Sequence, residues 1–212
     1  MDSLANFDSA RAQVALEVGN RTFAVMDDRG DDRSVGGGLR TLEDMRAVLL
    51  AGAEKVSIDS GAVRDPSLIA AGARAFGSQC VVLSMQVKRT GRAGLLSGHE
   101  VIIDGGRTPT GLDALAWSRE GERLGAGELC INSIDADGTK AGYDLEITRM
   151  IADGVGIPVI ASGGAGKPED FLEVLNGACA DAALAASIFH YGTYTVGDLK
   201  QYLAGHNVAI RQ

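Results

Sequence analysis

Apolar positions along the chain follow two alternating rhythms. Short, mainly apolar runs occupy residues 23–26, 34–35, 56–58, 80–85, 129–132, 159–161 and 182–186, and read as buried strands. Between them, apolar residues recur at helical spacing over residues 4–17, 41–50, 65–76, 112–124, 145–153, 167–176 and 196–204. The helix starts carry their own signals. Thr41 stands before Glu43 and Asp44, and Pro66 and Pro168 sit where a missing N–H costs nothing. Residues 89–107 break the rhythm with a glycine-rich stretch that contains a hairpin around 100–103, and residues 134–143 form a polar loop. Strands that alternate with helices predict a parallel sheet of βαβ units, either a closed βα barrel or an open doubly wound sheet.

In both architectures function gathers where strands end. Those ends carry Gly36, Gly37 and Gly38, then Asp59 and Ser60, Gln86 to Lys88, Ser133 to Asp137, Ser162 to Gly164, and Ser187. The stretch IPVIASGGAGKPEDFLEVLN concentrates the pattern: an apolar strand, the pair Gly163-Gly164, and a helix start. Glycines let a backbone approach a ligand, and helix-start N–H groups favour an anion such as phosphate. The same residues also fit a tight turn with no ligand. No GxGxxG follows the first strand, which weighs against a dinucleotide fold. Asp135 and Asp137 read either as caps of a solvated turn or as ligand-facing groups, Lys167 as a solvated helix-start lysine, and Trp117 as a packing residue.

Composition narrows the function classes. The chain has 212 residues, 45% of them hydrophobic, with 29 Gly and only 4 Pro, which suits one domain with many tight turns. Its formal net charge is −8 and no dense Lys/Arg patch occurs, so nucleic acid is not an expected partner. Any anion must be held by local backbone fields against that charge. Cys80, Cys130 and Cys179 are odd in number and lie in or beside apolar runs, which fits buried free thiols in a reducing cytoplasm. Neither they nor His99, His190 and His206 show metal-ligand spacing, and no metal or cofactor is expected. No apolar run is long enough for a membrane span, and Asp2 with no apolar segment after it argues against a leader peptide.

The runs VGGGLRTLEDM, GAEKVSIDSGAV, FGSQCVV, GGRTPTGLDA, SIDADGTKAGYD, IPVIASGGAGKPEDF and ADAALAASIFHYG resemble, in order, the cyclase subunit of imidazole glycerol phosphate synthase. That family is a TIM-type βα barrel of histidine biosynthesis. The resemblance covers Val35 to about Arg211, with residues 1–34 divergent. It implies a lyase-type cyclisation of a bisphosphorylated ribulosyl intermediate with ammonia, which a separate glutaminase subunit supplies through the barrel. It also implies two phosphate sites, one at Gly37, Gly38, Asp59 and Ser60, the other at Asp137, Gly138, Gly163, Gly164, Ala186 and Ser187. Lys55 and Glu128 match positions on the opposite, ammonia-entry face.

The departures from the family are specific. Two strand-end aspartates carry its acid–base work, and the fifth-strand position here holds Gln86, which cannot exchange a proton at neutral pH. The first-strand position has only Asp27 or Asp28 as a stand-in, and Asp137 is a further candidate. Asp59 replaces a phosphate-site asparagine. Its charge would repel a phosphate ~4 Å away by about 4 kcal/mol per charge pair. Only 34 residues precede Val35, where the family has two full βα units. The expectation is a truncated barrel of about seven strands, its opening covered by the 4–17 helix or by another copy of the chain. Three functions follow: a cyclase with impaired catalysis, a non-catalytic barrel that binds phosphate esters, or an interaction module that docks the glutaminase or itself.

Overall fold

A computed structural model describes residues 16–17, 23–25 and 34–209. The strands are β1 (Leu16–Glu17), β2 (Phe23–Val25), β3 (Ser34–Gly36), β4 (Lys55–Ile58), β5 (Val81–Arg89), β6 (His99–Ile103), β7 (Thr108–Asp113), β8 (Glu128–Ser133), β9 (Val159–Ser162) and β10 (Ala182–Leu184). The helices are α1 (Leu42–Leu50), α2 (Ser60–Arg64), α3 (Ser67–Phe76), α4 (Ala114–Leu124), α5 (Leu145–Ala152), α6 (Pro168–Leu172), α7 (Ser187–His190) and α8 (Val196–Gly205). The sheet runs β1-β2-β3-β4-β5-β8-β9-β10, and β3, β4, β5, β8, β9 and β10 pair in parallel. With a helix after each parallel strand, this is the wall of a TIM-type βα barrel. Among the described residues β1 and β10 do not pair, so the wall stays open.

Helix starts follow the chemistry of their sequences. Thr41 caps α1 with a reciprocal box: its Oγ accepts the Asp44 N–H at 3.1 Å, and Asp44 Oδ2 accepts the Thr41 N–H at 3.0 Å. Asp113 and Asp144 cap α4 and α5. Buried Asp170 accepts the N–H groups of Gly166 at 2.8 Å and Lys167 at 3.0 Å, which holds the chain into α6. One core lies under β4, β5 and β8, with Met45, Ile69, Leu83, Met85, Trp117 and Ile151 in it. A second joins β9 to the last helices, with Phe171 edge-on to Tyr143 at 5.5 Å.

Several expectations need correction. Leu16–Glu17 is a strand paired antiparallel with Phe23–Val25, so a helix does not extend over 4–17; the rest of that segment lies outside the described residues. A strand stands at each of the seven expected places, but Phe23–Val25 is antiparallel to Ser34–Gly36, so among the described residues six of the seven form the parallel wall. Glu173–Gly177 forms a π turn where a continuous helix was expected. Cys179 is exposed in a left-handed turn with φ 57°, while Cys80 and Cys130 are half-buried; all three are free thiols. No described helix is long and apolar enough to cross a membrane.

The largest difference lies at β5. Its first residues pair with β4, but from Gln86 to Arg89 its neighbour on that side is β6. β5 outruns β4, and the β6–β7 hairpin fills the space beyond the end of β4. The hairpin turn, residues 104–107, therefore roofs the carboxyl end of β4.

Candidate functional site

Two constellations form at the carboxyl ends of the parallel strands. The first lies at β3, β4 and β5. Gly37 and Gly38 have φ of 93° and 72°, left-handed values that glycine adopts without strain. The loop they open packs on the start of α2 so closely that a Cβ on Gly61 would stand 2.4 Å from the Leu39 carbonyl oxygen. The Gly37-Gly38 loop and the Asp59-Ser60 turn are thus brought side by side. The hairpin turn closes over them. The Asp104 N–H donates to Ser60 Oγ at 3.0 Å, and Asp104 pairs with Arg64 of α2.

Under this roof Gln86 Nε2 donates to Asp59 Oδ2 at 3.4 Å. Asp59 Oδ1 is buried and has no hydrogen-bond partner among the described residues. Burial pushes the Asp59 carboxyl up to about 6; the Gln86 amide and the Arg64 guanidinium hold it lower than burial alone would, and Asp104 adds to the rise. Asp59, which the resemblance matches to a phosphate-site position, is engaged by an amide on the next strand.

The second constellation is a cavity of about 130 Å³ that opens to solvent. Asp137, Gly138, Gly163, Gly164, Ala186 and Ser187 line it together, with Lys140, Ser162, Ala165, Leu184 and Ala185. Its back wall admits no side chain. Gly163 has φ 88°, and a Cβ there would stand 2.9 Å from Asn132 Oδ1; Gly164 has φ 108°, and a Cβ there would stand 2.1 Å from the Gly142 carbonyl oxygen. The Gly142 N–H bonds back to the Gly164 carbonyl at 2.9 Å, tying the 134–143 loop to the glycine pair. Ser162 donates to Asn132 Oδ1 at 3.1 Å.

Lys140 is the cation that the sequence reading missed. It lies in a polar loop with no local pattern around it, at φ 58°, and its ammonium stands 5.4 Å from the Tyr191 ring centroid. Lys167 is exposed and does not line the cavity. Asp135 accepts the Arg89 N–H at 2.7 Å and so caps a backbone group, while Arg89 pairs with Glu146. Asp27 lies outside the described residues. On the opposite face, Lys55 and Glu128 form an ion pair at 2.5 Å between the starts of β4 and β8.

Neither His99 nor Asp144 was singled out from the sequence. His99 on β6 is fully buried, with Nδ1 2.9 Å from the Ser97 carbonyl oxygen and Nε2 3.6 Å from Asp144 Oδ2. Ser133 at the end of β8 donates to the same Asp144 oxygen at 3.0 Å. The Ser133 carbonyl in turn accepts the Asp137 N–H at 2.9 Å, so this buried chain ends at the rim of the cavity.

An open wall of parallel strands, with its cavity and buried carboxyl at the strand ends, defines a βα-barrel protein whose site is built from βα loops. A family model described as "Histidine biosynthesis protein" matches residues 24–195. The chain is 59% identical over 180 residues to imidazole glycerol phosphate synthase subunit HisF of Desulforapulum autotrophicum, covering 84% of this chain and 70% of that one. The subunit from Syntrophobacter fumaroxidans matches to the same extent, 59% over 180 residues with 84% and 70% coverage. That from Nitratidesulfovibrio vulgaris is 58% identical over 179 residues, with 84% and 69% coverage. The chain belongs to this histidine biosynthesis family, in its HisF branch.

Proposed function

We propose that the chain acts as the cyclase subunit of imidazole glycerol phosphate synthase, taking a bisphosphorylated ribulosyl intermediate and ammonia. The observation that carries this reading is the cavity between β8, β9 and β10. The six residues expected at one phosphate site line it together, beside a lysine ammonium. Glycine backbone and a serine hydroxyl suit phosphate oxygens there, and Lys140 supplies a local positive charge in a chain of net charge −8. Gly37, Gly38 and Ser60 would take the other phosphate, the Ser60 hydroxyl hydrogen being free to donate while its oxygen accepts from Asp104. The expected partner is a glutaminase subunit on the face that carries the Lys55–Glu128 pair; a second copy of the chain is the alternative. A cytoplasmic location accords with three free thiols.

A second reading is favoured by Gln86. An amide at the expected fifth-strand carboxylate position leaves a barrel that binds phosphate esters without turnover. The test is ammonia-dependent consumption of the ribulosyl intermediate, followed by its absorbance change, together with titration by inorganic phosphate. Turnover supports the cyclase. Phosphate binding without turnover overturns it in favour of the second reading.

A further inference from the structure

Gln86 and Asp59 form one unit across two neighbouring strands. The amide holds one carboxyl oxygen, and the other faces no partner under the hairpin roof. We propose that Asp59 is the catalytic residue that takes up and returns a proton at the carboxyl ends of β4 and β5, with Gln86 as the positioning residue that orients it. This inference rests on the cyclase reading and adds the proton carrier that Gln86 cannot be.

A buried carboxyl oxygen without a donor is costly unless something else supplies the hydrogen. A bound nitrogen nucleophile or substrate hydroxyl would do so. The geometry also separates the two roles. Gln86 donates through Nε2 and does not titrate, whereas Asp59 does, with its carboxyl raised to about 6 by burial. Above that value it is a carboxylate, yet still basic enough to be effective. The charged and titratable groups around it are Asp104 on the hairpin turn, Arg64 on α2, and Cys130 on β8, whose thiol burial pushes up to about 11 and so keeps neutral. β5 contributes only the amide of Gln86.

The step balances without an oxidant or reductant. Ammonia forms a nitrogen–carbon bond at the ribulosyl carbonyl, and the carbonyl π pair moves to oxygen. Asp59 Oδ1 removes the proton from the new ammonium nitrogen. The resulting carboxylic acid returns that proton to the oxygen, giving a neutral carbinolamine. The carboxylate then takes a second proton from nitrogen and passes it to the hydroxyl, which leaves as water while the carbon–nitrogen double bond forms.

The experiment measures ammonia-dependent turnover from about pH 5 to about pH 8.5 for the unaltered chain, Asp59→Asn and Gln86→Ala. The expected kcat of the unaltered chain rises through about pH 6 and levels above it. Asp59→Asn should lose on the order of 100-fold or more in kcat, with KM unchanged or lowered because a negative charge beside the expected phosphate is removed. Gln86→Ala should move the rising limb to higher pH, because the amide holds the carboxyl down. An Asp59→Asn variant that keeps kcat within about threefold, with the limb intact, overturns the proposal and leaves the cyclase reading standing. A silent unaltered chain removes the cyclase reading and the proposal together. Thermal melting and inorganic phosphate titration check that Asp59→Asn is folded. If it is not, the Gln86→Ala limb decides: a shift supports the proposal, and no shift overturns it.

Discussion

His99 Nε2 stands 3.6 Å from Asp144 Oδ2, with the imidazole fully buried between the β6–β7 hairpin and the start of α5. Burial presses the imidazolium down, but the Asp144 carboxylate and the Ser97 carbonyl outweigh it, so the ring titrates above its ordinary value. The His99 imidazole holds Asp144 below the usual carboxylate range, with help from Ser133. The histidine contribution to stability is full below pH 6.5 and is lost as pH rises through its raised value. The aspartate contribution is present above pH 3.8 and is lost as pH falls through its lowered value. The pair therefore stabilises most between these ordinary values. His99→Leu should cost on the order of 2 kcal/mol near pH ~5.5, and clearly less near pH ~8.5. Urea unfolding of both chains at the two pH values checks this; an equal loss at both would assign the cost to packing alone.

Gly164→Ala tests the back wall of the cavity. The substitution meets both a positive φ of 108° and the Gly142 carbonyl oxygen 2.1 Å from the added Cβ. A loss of about 3 kcal/mol is expected in urea unfolding. Gly205→Ala at the end of α8 is the control, because an added Cβ there meets nothing within 4 Å, and it should change stability by less than about 1 kcal/mol.

Charge at the cavity rim has a predictable sign. Lys140→Ala should weaken inorganic phosphate binding about tenfold, a change of ~1.4 kcal/mol. Asp137→Asn removes a negative group from the same lining and should tighten it. Calorimetric titration at low and high salt reads both effects, and salt should shrink them because the rim is exposed.

Lys55 and Glu128 are about a fifth exposed, 23% and 19%, so their pair adds little to stability. Lys55→Met should cost less than about 1 kcal/mol in unfolding. If a glutaminase docks on that face, glutamine-driven turnover should fall while ammonia-driven turnover stays within about twofold. Equal losses in both assays would mean that Lys55 serves the cyclase site itself.

The alternation of elements was legible because strand runs and helical spacing are local signals, and so were the strand-end residues that line the cavity. Gln86 and Asp59 were each visible as a departure from the family, yet nothing local relates them. Their contact exists only because β5 outruns β4. A trace of that overrun was present, since the in–out alternation of Met85, Gln86 and Val87 continues past the apolar run. His99 and Asp144 escaped for the same reason: the hairpin and the helix cap meet only in the folded chain. The π turn at Glu173–Gly177 keeps helical spacing in its apolar residues, so periodicity does not distinguish it.

The strand order also sets a length. From β4 to β9 the wall takes three steps, through β5 and β8. At ~4.8 Å per step this amounts to roughly 14 Å along the sheet, and less across its curl. Were both strand-end constellations to take phosphate, as proposed, a short monophosphate could occupy one end but not both. A long molecule with an anion at each end would be gripped twice, its second contact forming at the high local concentration set by the first. Cutting such a molecule in the middle leaves each half with a single grip, so the cut itself would loosen both products.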